Sequence, residues 1–510
     1  MGWLVGKRPA ARRARVMSVC VVALLAGALF VAAGAGPGAA AAAGAKGRAS
    51  AYSALPGLPY LNVGFTDDRV FEQGDTATRN RWLSVAQSLG SSVVRIGVDW
   101  VNVAPAYPAA GFNAGNPSDP QYNWSELDNA VITAAAHHQR VVFTIVHAPL
   151  WAQGRNPPPG TFAGTWMISP SAFAAFGRAI ASRYSGRFPD PAHPGQRLPH
   201  VVYYQAWNEA NLPYYLSPQW ACSVRASRCP ARDIVAFGPI WYRKMLNAFY
   251  AAVKGVDRHD VVMAAGTAPY GDPPARGEQR MAPVTWLREL FCLTPSLKPK
   301  SCGGPPPHLD ALDHHPYAAS PTIHAFNAND ISVPDLWKIW RVLRAAQRAH
   351  HVLPAGNKPL WVSELDWSSY PTSARTLALQ QRYLTLAFYE MWIQHVSNVL
   401  WFYIVDHPSE GNIFIDGGIY LSSGAAKPSA AAYRFPFLAL NRGHGIITVW
   451  GRAPSRGTVT IEKRSGRRWR RVLTLRTTGG GIFYSRSHLG SKLLLRARTG
   501  NAVSPTWATG

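Results

Sequence analysis

Two glutamates stand where a carboxylate is costly. Glu209 closes the run Val201-Val-Tyr-Tyr-Gln-Ala-Trp-Asn-Glu209, and Glu364 closes Lys358-Pro-Leu-Trp-Val-Ser-Glu364. Both runs are short and mostly apolar, the pattern of a buried strand in a parallel sheet. An ionised carboxylate is not buried in such a place without a partner or a task. Both side chains are therefore expected past strand ends, at the mouth of a barrel. A facing pair of carboxylates is the apparatus for cleaving a glycosidic bond. At about 5–5.5 Å the pair works by double displacement, one group as nucleophile and the other as acid and then base. Glu209 is expected to start protonated and Glu364 ionised, the pair holding one proton at neutral pH. Asn208, beside the acid, suits a hydrogen bond to a sugar 2-hydroxyl.

The elements that must position these groups are legible as an alternation. Strand candidates are 61–65, 92–98, 140–147, 201–207, 261–265, 309–315, 360–363 and 399–404. Helical periodicity fills 80–89, 125–138, 171–184, 241–253, 284–291, 334–349 and 377–395. Eight strands separated by helices predict an α/β fold, a closed (β/α)8 TIM barrel over residues 55–440. Glu209 would end its fourth strand and Glu364 its seventh, which face each other across the mouth. Residues 441–510 change to short runs with Gly-rich turns, which predict a small all-β sandwich in contact with the barrel.

Trp-Asn-Glu on a fourth strand with a late glutamate on the seventh resembles the clan A glycoside hydrolases, cellulase-like, especially families 5 and 39. The resemblance covers most of residues 60–440. It implies that Arg95, in Val-Val-Arg-Ile on strand two, contacts the nucleophile and keeps it ionised. It implies a subsite role for His147 at the end of strand three. His315 and Tyr317 match the His-x-Tyr after strand six, with Tyr317 bonded to the nucleophile. Trp401 on strand eight matches the tryptophan that floors the sugar-binding site.

A metal-dependent hydrolase is the rival suggested by Asp310, Asp313, His314 and His315. Such barrels need a His-x-His on strand one, and Leu61-Asn-Val-Gly-Phe-Thr66 has none. Neither metal nor cofactor is expected. Of His314 and His315, only one can point into the barrel. Aromatic platforms for sugar faces are sought among Trp100, Trp151, Trp166, Tyr214, Tyr215, Trp220, Tyr270, Trp367 and Tyr370, with the Pro/Gly-rich loop 150–169 as a cleft wall.

The net charge of +25 over 510 residues is unevenly spread. Seven Lys/Arg lie in residues 1–50, and fourteen lie in 441–510, where Glu462 is the only acid. A basic domain of that strength could contact a cell-wall or other acidic polymer; no nucleic-acid module accompanies it. Trp450, Trp469 and Tyr484 could bind carbohydrate there or brace the barrel. Five basic residues before the apolar run 16–34 and the small-residue stretch after it read as a signal peptide over residues 1–45. Left uncleaved, the same run is an N-terminal membrane anchor. Cys222/Cys229 and Cys292/Cys302 are local pairs, read as loop disulfides of an exported chain.

The expectation is a secreted, monomeric retaining hydrolase of β-linked glycosides or polysaccharide. Two alternatives remain: a transglycosylase with the same residues, and a non-catalytic glycan-binding surface protein. Sugar, linkage and endo or exo action are left open.

Overall fold

The computed structural model describes residues 55–225, 229–273, 279–301, 303–410 and 413–509. The segment 1–45, expected as a signal peptide, and Cys302 lie outside the described residues. Eight parallel strands form one sheet: β1 (Asn62–Thr66), β2 (Val93–Asp99), β3 (Arg140–Val146), β4 (Tyr203–Ala206), β5 (Val261–Ala264), β6 (Leu312–Asp313), β7 (Leu360–Val362) and β8 (Val396–Phe402). Their order is β5-β4-β3-β2-β1-β8-β7-β6. Bridges Met263–Ala311 and Thr267–His314 join β5 to β6 and close the barrel.

Each strand is followed by a helix: α1 (Thr76–Ser88), α2 (Ser125–Ala136), α3 (Pro170–Arg183), α4 (Gly238–Lys254), α5 (Pro283–Leu290), α6 (Trp337–Arg348), α7 (Ala374–Ile393) and α8 (Pro428–Arg434). In α6 the buried residues Ile339, Val342, Leu343 and Ala346 recur at helical spacing, with Arg341 and Arg344 facing water. Proline in the first turn of α3, α5 and α8, and Ser373 capping α7, fix where these helices begin.

The barrel interior is layered. At its base Val93, Val142, Met263, Ala311, Trp361 and Leu400 form a separate apolar plug. Gly64 faces the same layer, where a Cβ would stand 2.2 Å from the Val93 carbonyl, so only glycine fits. Above the plug, the inward side chains become polar. The remaining apolar residues of the strands pack outward against the helices.

The second domain begins at Phe437 rather than at residue 441, because Phe437–Asn441 already pairs antiparallel with Ile446–Arg452. Its strands are β9 (Phe437–Asn441), β10 (Ile446–Arg452), β11 (Thr458–Ser465), β12 (Arg468–Arg476), β13 (Ile482–His488) and β14 (Leu494–Thr499), with two short strands after them. One sheet runs β9-β10-β13; the other begins at its edge with β12 and continues through β11 and β14. The domains meet in an aromatic seam, Trp450 and Tyr484 each 5.7 Å from Trp392 of α7. Trp450 is fully buried there and braces the barrel. Among the described residues no helix is long and apolar enough to cross a membrane.

Candidate active site

Strand alternation directs Arg95, Thr144, Gln205, Asp313 and Ser363 into the barrel just above the plug, where all are buried. They form a hydrogen-bonded belt. Arg95 Nε donates to Thr144 Oγ1 at 2.6 Å, and the Thr144 hydroxyl donates to Gln205 Oε1. Gln205 Nε2 donates to Asp313 Oδ2 at 2.6 Å. The hydroxyl of Ser363 also donates to Asp313, and Ser363 N donates to Asp313 Oδ1 at 2.9 Å. Thr66 Oγ1 closes toward β1 by donating to the Ser363 carbonyl at 2.7 Å. A buried polar network is stable only when its members are satisfied, and this one is.

The belt carries the two glutamates. One arm of the Arg95 guanidinium donates to Glu364 Oε1. The other donates to Asn208 Oδ1 at 2.7 Å. Because arginine can only donate, the Asn208 oxygen must face it, which leaves the Asn208 amide NH2 without a protein partner among the described residues. Tyr317 Oη donates to Glu364 Oε2 at 3.2 Å. His315 stands between the carboxylates, its Nδ1 2.8 Å from Glu209 Oε1 and 3.6 Å from Glu364 Oε2. Its Nε2 faces Asp313 Oδ2 at 3.2 Å and Ser363 Oγ at 3.1 Å. Oxygens of Glu209 and Glu364 lie within 4.8 Å of each other and of His315.

Local backbone aims these groups. His147, Trp207, Glu209 and Tyr403, all just past strand ends, have positive φ (50°, 83°, 33° and 68°), a conformation few side chains adopt without tertiary support. Support comes from Trp207 Nε1, which donates to the Tyr215 carbonyl at 2.7 Å. Asn211 locks the loop after β4 to the loop after β5 through Ala268 and Met281.

The electrostatics separate the roles. Burial pushes the Glu209 carboxyl up, an effect opposed by the His315 contact and reinforced by Glu364. Burial alone would lower His315, but Glu364, Asp313 and Glu209 together push it up to about 10. Arg95, likewise opposed by burial, is raised by Glu364 and Asp68. Glu209, His315 and Glu364 also have the donor types of a metal site. The Arg95 and Tyr317 contacts, however, put a fixed cation and a hydroxyl on Glu364, which suits proton handling better than a cation.

The mouth is lined by further carboxylates that the sequence reading passed over. Asp68 is pushed up to about 6 by burial, a rise limited by Arg95, and Glu72 is also raised. Gly97, two residues past Arg95 on the inward face of β2, makes room for them; a Cβ would lie 3.0 Å from Glu72 and 3.1 Å from Asp68. Asp366 is pushed up to about 8 by burial and by Asp416 and Glu364. Nearby, Lys427 Nζ gathers the loops after β7 and β8, donating to Ser369 Oγ at 2.8 Å and Asp406 Oδ1 at 2.7 Å.

Other expected residues fall elsewhere. Trp401 corrects the sugar-floor expectation. It is fully buried among the outward-facing core, and its Nε1 donates to the Gly417 carbonyl at 2.9 Å. Strand alternation turns Phe402 inward instead, 6.3 Å from the Tyr317 ring. His147 bonds to Asp99 at 2.6 Å and stacks on Tyr215, with no hydrogen bond to either glutamate. His314 points away from the barrel axis, between Thr267 Oγ1 and the Ile331 carbonyl. Asp310 pairs with Lys254 at 2.7 Å, so of the four residues of the metal rival only Asp313 and His315 meet, at the belt. Of the aromatic candidates, Trp100 is fully buried against Phe176, while Tyr370 is exposed. The loop after β4 carries an antiparallel pair, Trp220–Cys222 with Ile234–Ala236, stapled by the Cys222–Cys229 disulfide.

The sequence matches no protein-family model and no curated protein. Among solved structures it is similar to a family 39 glycoside hydrolase from the gut symbiont Bacteroides cellulosilyticus WH2, at 15% identity and TM-score 0.49 over 84% of this chain and 79% of that one. It is similar to a glucosidase from Croceicoccus marinus, at 15% identity and TM-score 0.45 over 83% and 82% of the two chains. A GH30 endoxylanase from Clostridium papyrosolvens C71 matches at 12% identity and TM-score 0.43 over 85% and 95%.

Proposed function

We infer that the chain is a glycoside hydrolase of the clan A kind that cleaves β-linked glycosides with retention of configuration. The observation that carries this reading is the approach of Glu209 and Glu364 to within 4.8 Å, across His315, at the mouth of a (β/α)8 barrel. That approach suits a nucleophile and an acid/base, whereas an inverting pair stands about 6.5–9.5 Å apart to admit a water.

Glu364 attacks the anomeric carbon, its charge held by Arg95 and its second oxygen aligned by Tyr317. Glu209, whose proton is retained by burial, protonates the leaving oxygen and then deprotonates the incoming water. The free amide NH2 of Asn208 meets the 2-hydroxyl, a bond that strengthens as the oxocarbenium ion develops. The basic, apolar N-terminal segment and the Cys222–Cys229 disulfide favour action outside the cytoplasm.

The test is a panel of aryl β-glycosides with wild type, Glu364→Ala and Glu209→Ala, each with and without azide. Loss of turnover in Glu364→Ala, restored by azide as a glycosyl azide of inverted configuration, is the expected result. Glu209→Ala should yield the azide of retained configuration. Turnover by Glu364→Ala without azide, or silence of the wild type on aryl glycosides and polysaccharides alike, overturns the reading. In the second case the glycan-binding alternative gains.

A further inference from the structure

Five of the fourteen Lys/Arg of residues 441–510 lie along one edge. Strand β12 is the outermost strand of its sheet, paired with β11 on one side only. On it and its turn, Arg467, Arg468, Arg470, Arg471 and Arg476 are all exposed. None of the five has a carboxylate partner among the described residues. Glu462, the only acid of the domain, is already bound by Arg496 at 2.6 Å and Arg498 at 3.2 Å. Nine residues at about 3.3 Å each make the strand roughly 30 Å long. Arg468 and Arg470 lie on one of its faces and Arg471 on the other, so the cations flank the edge on both sides.

We propose that this edge is a docking surface for a linear, carboxylate-bearing polysaccharide, which tethers the enzyme rather than feeding its cleft. Arginine pairs with carboxylates through a planar two-pronged fork, so an extended polyanion suits a row of them. Other polyanions fit less well. Single-stranded nucleic acid needs free aromatic faces, yet Trp469 is engaged by Arg496 at 4.1 Å and Arg464 at 5.4 Å. A membrane surface needs apolar side chains to insert, and the strand offers only Val472. Strand β12 carries no carboxylate that could cleave what it holds, so docking there is distinct from cleavage in the mouth. That last clause rests on the proposed hydrolase site; the docking surface does not.

Charged residues on an edge strand also prevent sheet-to-sheet association, which is the competing role. The test compares the full chain with a variant combining Arg467→Gln, Arg468→Gln, Arg470→Gln, Arg471→Gln and Arg476→Gln. The probes are alginate beads, unsubstituted cellulose, duplex DNA and phosphatidylglycerol vesicles. Wild type is expected to bind alginate in low salt, to leave it as salt rises, and to ignore cellulose. The variant should bind alginate at least tenfold more weakly, with unchanged thermal stability and unchanged aryl-glycoside turnover. A control, Arg341→Gln with Arg344→Gln on α6, should bind as wild type does. The proposal falls if the five-residue variant is retained equally, if the control weakens as much, or if DNA or vesicles bind more tightly than alginate. It falls also if self-association is the only property that changes. Cleavage of alginate itself would overturn the tether while leaving the hydrolase reading intact.

Discussion

The barrel mouth and the outer edge of the second domain are both charged, and they use charge in opposite ways. At the mouth, Arg95 and Glu364 are almost fully buried, and each cation or acid contacts several groups. At the edge, five arginines stand in water with no ion pair among the described residues, the one acid nearby, Glu462 opposite Arg471, being taken by Arg496 and Arg498. Buried charges interact strongly at short range and little with salt, whereas exposed ones act together over about a Debye length and are screened. The mouth is accordingly suited to fixing one proton and one nucleophile, and the edge to gathering a polymer. Mutations at the first should alter turnover without altering attachment, and those at the second should do the reverse.

The sharpest break is Arg95→Gln. Removing one partner of a buried pair leaves Glu364 uncompensated, at about 3–5 kcal/mol of stability. It also removes a preorganised donor worth about 10²–10³ in turnover. Urea unfolding and kcat on an aryl glycoside measure both losses, and near-normal kcat would remove Arg95 from the mechanism. Attachment to alginate should not change. Next is Asp313→Asn, which touches no substrate and acts through His315 as a positioning residue. An expected loss of about 10–100-fold in kcat follows from the loosened imidazole. Asp313 helps hold the proton on His315, so without it the imidazolium is lost at lower pH. His315 in turn opposes the rise of Glu209, so with the imidazolium gone the Glu209 proton is held more tightly. The alkaline limb of the pH–rate profile follows loss of that proton and should move to higher pH. A fall in kcat with an unmoved limb would reduce Asp313 to a packing role.

The two regions also differ in how far they could be read beforehand. Both glutamates and Asn208 were legible from their places at strand ends, whereas Arg95, His315 and Tyr317 were named as site residues only through the family resemblance. The fold places these six side chains in one hydrogen-bonded cluster. The arginine edge was legible as a charge count, although which strand carried it was not. Strand β6 was expected over seven residues and pairs over two, since the Pro-rich chain before it and His314-His315 after it carry the barrel closure through isolated bridges. Helix α8 and strand β9 were missed because both are short and sit at the domain junction, where the apolar pattern serves two cores. The belt residues Thr144, Gln205 and Ser363 passed unnoticed, although a polar residue at the inward position of a buried strand is a readable signal. Asp68, Glu72 and Asp366 were not readable as a group, being nearly 300 positions apart. Trp401 was misplaced by one residue of strand alternation, which sends Trp401 outward and Phe402 inward.

Asp366→Asn tests whether the mouth holds its acids at a cost. With a folded pKa of about 8 and an ordinary value of 3.8, this carboxyl is neutral in both states below about pH 4 and burdens only the folded state as pH rises to 8. The variant should match wild type in thermal stability at pH 4 and exceed it at pH 9, by on the order of 1–3 kcal/mol. A gain already present at pH 4 would point to packing instead. The smallest effect belongs to the edge. Glu462 lies with Arg496 and Arg498 on exposed strands, so Glu462→Gln should cost at most about 1 kcal/mol. It also frees two guanidiniums beside the row on β12. The salt concentration that releases the protein from alginate should therefore rise, with kcat on aryl glycosides unchanged. If release is unaffected, the docking charge is confined to β12 itself, and β14 serves only to carry it.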